Sequence, residues 1–158
     1  MCLFANKENP LKGKVKIVFD EKGYTTCWKV YQRIDSGLHP PFKQHLFVEN
    51  GHIKSNRMVQ KAGYDGCDDK GINYYPPVIH HLNNSFTINR GIHVYLSERR
   101  AKESAGEFWG DYDSSISYIV VPVRCHKSQL VAISRTSSEA VFMKVFLKKA
   151  DYDKAVKG

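Results

Sequence analysis

Between residues 12 and 19 the chain alternates strictly. Lys12, Lys14 and Lys16 fall on one side of an extended strand, and Val15, Ile17 and Phe19 fall on the other. Asp20-Glu21-Lys22-Gly23 reads as a turn. Residues 24–33 follow, carrying Thr25, Thr26, Trp28, Val30 and Tyr31, the side chains that suit a pleated, half-buried surface. The pattern predicts a β-hairpin over residues 12–33.

Gly37 to Pro41 breaks this run, and a short strand at residues 45–48 leads into Asn50-Gly51, a strong hairpin signal. Residues 58–77 lose periodicity and fill with Gly63, Asp65, Gly66, Asp68, Asp69, Gly71, Asn73, Pro76 and Pro77, which predicts a long loop. Residues 91–96 read as a strand. Ser97 is placed to cap a short helix over residues 98–105, with Glu98 suiting its dipole and Gly106 placed to end it. A second loop is expected at residues 107–115. Strands follow at residues 116–123, 130–134 and 140–147, with a turn at residues 135–138 and a short helix at residues 151–156. Adjacent strands dominate, so the expected class is α+β: a mostly antiparallel sheet of hairpins with one or two short helices.

Composition adds three constraints. A chain of 158 residues fits one domain and buries about 68–70% of the surface its unfolded form exposes, so no metal or disulfide staple is needed. Lys and Arg number 24 against 16 Asp and Glu, a net charge of +8 that favours phosphate-rich partners: nucleic acid, nucleotides or anionic lipid surfaces. Cys2, Cys27, Cys67 and Cys125 match neither zinc spacing nor a secreted disulfide framework. No signal peptide or membrane span is visible, so a cytoplasmic protein with reduced thiols is expected, with no membrane partner.

The lysine row spaces its ammonium groups about 6.5–7 Å apart along a strand face, a spacing able to follow phosphates or to guard a sheet edge. Arg99, Arg100 and Lys102 on the predicted helix extend the basic surface. Tyr64, Tyr74, Tyr75, Phe108, Trp109 and Tyr112 sit in the two loops; Tyr74, Tyr75, Trp109 and Tyr112 are the expected stacking residues, each alternatively part of a small loop core. His80-His81, Cys125-His126 and the Asp65, Asp68, Asp69 cluster lack the geometry of zinc or EF-hand ligands, so no metal is expected. Cys2 would present a thiol and an amine together if the first Met is removed, but Asn6 to Pro10 reads as a loop where an N-terminal nucleophile would enter a strand. His93, between Ile92 and Val94, is a phosphate contact, a proton-transfer group or a histidine that fixes a loop.

Two resemblances extend this reading. The Met1-Cys2-Leu3 start, Trp28-Lys29-Val30-Tyr31, and Gly91-Ile92-His93-Val94 before a short helix resemble small proteins of bacteriophages and other mobile elements. That likeness implies an accessory protein acting on host machinery, including defence systems. More distantly, the order of elements resembles an ADP-ribosyltransferase. This implies NAD as cosubstrate, Arg33 on its phosphate or ribose, Tyr95 or Ser97 beside the nicotinamide, and Glu139 stabilising an oxocarbenium-like transition state. The chain departs from that family where Glu98-Arg99 follows Ser97 and where Ser137 stands two positions before Glu139. The expected function is therefore a basic, phage-type accessory protein that binds nucleic acid, a nucleotide or a host complex handling nucleic acid, and needs no cofactor. An NAD-dependent transferase and a structural or protein-interaction module are the alternatives.

Overall fold

The computed structural model describes residues 3–6, 8–34, 37–39, 57–61, 79–82, 85–88, 91–106 and 117–157. Its centre is β2 (Tyr24–Ile34), preceded by β1 (Leu3–Asn6) and followed by β3 (Gly37–His39), β4 (Arg57–Lys61), β5 (Ile79–Leu82), β6 (Ser85–Ile88) and β7 (Ile92–Tyr95). Helix α1 (Glu98–Ser104) comes next. Then come β8 (Ser117–His126), β9 (Leu130–Ile133), β10 (Glu139–Phe142), β11 (Lys144–Lys148) and α2 (Lys149–Lys157). The class is α+β. An antiparallel eight-stranded sheet runs β4-β11-β8-β2-β7-β10-β9, with β3 also paired to β2, and a three-stranded sheet runs β1-β6-β5.

β2 pairs with β8 from Tyr24↔His126 to Arg33↔Ser117. Because side chains alternate across a strand, Cys27, Lys29 and Tyr31 enter one face while Trp28, Val30 and Gln32 enter the other. Both faces are covered, so seven consecutive residues of β2, Cys27 to Arg33, are buried or half-buried. On the first face Cys27, Tyr31, Val121, Val123 and Cys125 join Phe142, Val145 and Leu147 in the main core, against which Tyr152, Ala155 and Val156 of α2 pack. On the second, Ala101 and Ala105 bring α1 down onto Trp28, Val30, Tyr95, Tyr118 and Val120. Leu3 and Ala5 of β1 pack beside them on Ala132 and Val141. The Arg135 amide donates to the Phe4 carbonyl at 2.8 Å, and Ala5 bridges Ser134, which ties the small sheet to the large one.

Several expectations change. The turn at residues 20–23 forms, with Gly23 at φ +85 and the Asp20 carboxylate accepting from the Lys22 and Tyr24 amides. Residues 12–19 keep their alternating exposure but are not a strand: β8 takes one edge of β2 along its length, and the start of the arm bonds to Ile133 and Ser134 at β9 instead of to β2. The loop expected over residues 58–77 begins inside β4, whose residues pair with β11 from Lys144↔Lys61 to Lys148↔Arg57. Residues 140–147 form two strands, not one, separated at Met143. The antiparallel pairing of β5 with β6, Leu82 opposite Ser85, was not anticipated. The expected strand at residues 45–48, the Asn50-Gly51 turn, Cys2, Cys67 and all six loop aromatics lie outside the described residues.

Candidate nucleic-acid interface

The second face of the large sheet is covered by α1 over its middle and by β1 towards β9 and β10. Its remaining corner, where β2 begins, β8 ends and β11 runs, carries Tyr24, Arg124, His126, Lys144, Phe146 and Lys148. Register places these together: Thr26 and Phe146 both lie opposite Arg124, and Tyr24 lies opposite His126. Val145 and Leu147 turn to the core while Lys144, Phe146 and Lys148 take the other side of β11.

A cleft of about 250 Å³ opens here, lined by Lys22, Tyr24, Arg124, Phe146 and Lys148. Tyr24 is its floor. The Arg124 guanidinium stands 5.4 Å from the Tyr24 ring centre, with the His126 ring edge-on at 4.8 Å and Phe146 edge-on at 6.2 Å. Lys144 Nζ lies 5.3 Å from the Phe146 ring centre. Arg124 is anchored by donating to Asp20 Oδ2 at 3.0 Å and Thr26 Oγ1 at 3.2 Å. Chiefly through the Tyr24 amide, and then through Arg124, the Asp20 carboxyl is held below its ordinary value of 3.8. His126 Nε2 meets the Lys22 carbonyl at 3.0 Å, and its Nδ1 accepts from the Ser128 amide at 3.1 Å. A carbonyl only accepts, so this pair of bonds requires the neutral ring with its proton on Nε2. The histidine therefore fixes the turn that presents Lys22. Gly23 makes room for it, since a Cβ there would lie 2.7 Å from His126 Nε2. The charge excess is local: among the described residues Lys22, Lys144 and Lys148 take part in no ion pair.

The residues expected from sequence are distributed elsewhere. Lys12, Lys14 and Lys16 are exposed on the arm before β2. On α1, Arg99 pairs with Glu103 at 2.8 Å, Arg100 with Glu103 at 3.6 Å, and Lys102 with Glu98 at 2.9 Å, so the helix largely neutralises its own cations. Tyr74, Tyr75, Trp109 and Tyr112 lie outside the described residues. His93 is half-buried, its Nδ1 3.3 Å from the Gly91 carbonyl.

Of the four transferase residues, three come near one another and one does not. Glu139 lies directly opposite Tyr95 in the β10–β7 ladder, and Ser97 follows two residues on. Tyr95 is buried, with its hydroxyl 2.6 Å from Ser104 Oγ. Ser97 Oγ caps α1 by accepting from the Arg100 amide, and Ser137 donates to Glu139. Arg33 belongs to the alternation of Lys29 and Tyr31, so it points to the opposite face of the sheet from Tyr95, which pairs with Trp28. Its Nε is buried without a hydrogen bond.

Sequence reading missed Tyr24, Arg124, Phe146 and Lys148. The signal was available: Lys144-Val145-Phe146-Leu147-Lys148 alternates as cleanly as the lysine arm. Among the described residues no three His, Cys, Asp or Glu side chains gather as a metal ion would need, and no helix is long and apolar enough to cross a membrane. Comparison with protein-family models, with curated proteins and with solved structures finds no match.

Proposed function

We propose that the protein binds single-stranded nucleic acid on the uncovered corner of its sheet. The observation that carries this reading is the pair of rings, Tyr24 and Phe146, set among Lys22, Arg124, Lys144 and Lys148 at a corner of the sheet that α1 does not reach and that no other described helix covers. Bases need flat apolar surfaces and phosphates need cations at their sides. A single strand exposes both, whereas a duplex hides its base faces. The neutral, anchored His126 and the Asp20–Arg124 pair hold the surface rigid, so little ordering is left for the moment of binding. Such binding fits an accessory protein that acts on nucleic acid or on a complex that handles it.

The test is fluorescence anisotropy of a labelled oligo-dT with the full chain. Removing a stacking ring costs ~1–3 kcal/mol per base, so Phe146→Ala should weaken binding about tenfold or more. Lys148→Ala should weaken it more uniformly and lower the salt slope by about 0.7, the value for one single-strand phosphate contact. An affinity that ignores salt, or that survives Phe146→Ala intact, would refute the reading.

An NAD-consuming transferase is the second reading, on the strength of Glu139 standing opposite Tyr95. The buried ring of Tyr95 and the placement of Arg33 on the other face weigh against it. Turnover of NAD by the full chain, lost in Glu139→Ala with the fold intact, would move it to first place.

A further inference from the structure

The arm that sequence periodicity marks as a strand joins no ladder among the described residues. Its first part is stitched to the outer edge of β9: the Ile133 amide donates to the Pro10 carbonyl at 2.9 Å and the Lys14 amide to the Ser134 carbonyl at 2.8 Å. Gly13 permits this approach, because a Cβ there would lie 2.2 Å from Ile133 Cγ2 and 2.7 Å from the Ser134 oxygen. From Val15 to Phe19 the backbone makes no hydrogen bond among the described residues, although the period-two alternation continues. Ile17 and Phe19 lean on the main core, while Lys14, Lys16 and Val18 are exposed, Val18 by 79%.

Between this arm and β9 runs a groove of about 370 Å³, walled by Leu11, Val15, Ile17, Phe19, Leu130 and Ile133. Lys12 and Lys16 stand at its rim. In contrast to the cations of α1, Lys12, Lys14 and Lys16 take part in no ion pair among the described residues. Unpaired backbone, an apolar groove and uncompensated ammonium groups thus coincide on one segment.

We propose that residues 14–19 are a docking strand for an extended acidic segment of a protein partner. The incoming chain adds to the arm as a β-strand: its amides and carbonyls meet those of Val15 to Phe19, its carboxylates lie beside Lys14 and Lys16, and its alternate apolar side chains enter the groove. A nucleic acid would satisfy the lysines and leave both the amides and the groove unused. A second copy of this chain would set lysine against lysine across the new ladder, which like charges oppose. This docking strand is independent of the nucleic-acid face, which lies on the other side of the sheet.

The probe is a labelled synthetic peptide alternating Glu and Val, titrated with the full chain and followed by anisotropy, with oligo-dT titrated in parallel. The peptide should bind, and Lys14→Glu/Lys16→Glu should weaken it about tenfold or more, since two favourable cross-strand pairs become repulsive. The same variant should weaken oligo-dT less than it weakens the peptide and should melt at the wild-type temperature. N-methylating the alternate peptide amides on one edge should lose binding about tenfold, while methylating the other edge is tolerated, because only one edge faces the arm. The proposal is overturned if the peptide does not bind, if neither methylated form is impaired, or if the lysine variant weakens oligo-dT more than the peptide. It is also overturned if the free protein sediments as a dimer that the lysine variant dissociates.

Discussion

Lys29→Met should erase a rise in stability of about 2–3 kcal/mol between about pH 7 and about pH 10. Lys29 enters the main core between Cys27 and Tyr31. It is 7% exposed, with its Nζ 3.0 Å from the His93 carbonyl and 5.6 Å from the Tyr31 ring centre. The bond to His93 exists because β2 and β7 pair only at Trp28↔Tyr95 and then part, so a side chain serves a carbonyl that a ladder would otherwise use. Burial lowers the amine from its ordinary 10.5 to about 8. Below about pH 8 native and unfolded chains both hold this proton, and the native state carries the full cost of a buried charge. Between about pH 8 and 10.5 the unfolded chain still holds the proton while the native chain has released it, so stability climbs with pH.

Two neighbours act in the opposite sense. The Cys125 thiol, pushed up by its hydrogen bond with Cys27 and by burial, and the Tyr31 hydroxyl, pushed up by burial, ionise in the unfolded chain first. Their contribution therefore falls as pH rises, and it is shared by both proteins. Urea unfolding of wild type and Lys29→Met at both pH values isolates the lysine: the wild type should gain about 2–3 kcal/mol on the variant. Parallel behaviour of the two proteins would mean that the amine is solvated.

The second large effect is expected at Phe142→Ala. The ring is fully buried, close to Tyr31, Ile92 and Leu147 in the cluster that joins the sheet to α2. Truncating such a ring costs about 3–5 kcal/mol, the lost transfer energy plus the cavity left in a packed interior. At this chain length that corresponds to a fall of roughly 10 °C in Tm by calorimetry. Val18→Ala, at an exposed position, should change stability by no more than about 0.5 kcal/mol and serves as the control. A loss below about 1 kcal/mol at Phe142 would show that this interior refills without cost.

Much of the architecture was readable along the chain. Thr25 to Tyr31 announced β2, Ser97 announced the start of α1, and the alternation of residues 130–147 announced the closing strands. These are local properties: a backbone with a repeat of two or 3.6 residues sends side chains to sides that their spacing alone predicts. For the same reason the faces of residues 12–19 were correct even though no strand forms there. Periodicity assigns a side chain to a face but leaves open what lies across the strand. The meeting of Tyr24, Arg124 and Phe146, the separation of Arg33 from Tyr95 and Glu139, and the burial of Lys29 all depend on which strands pair and in what register. Register joins positions a hundred residues apart through non-local packing, and one step of slip sends every side chain of a strand to the other face. Segment-by-segment reading therefore found the strands, while the cleft, the idle arm and the buried amine came from how those strands assemble.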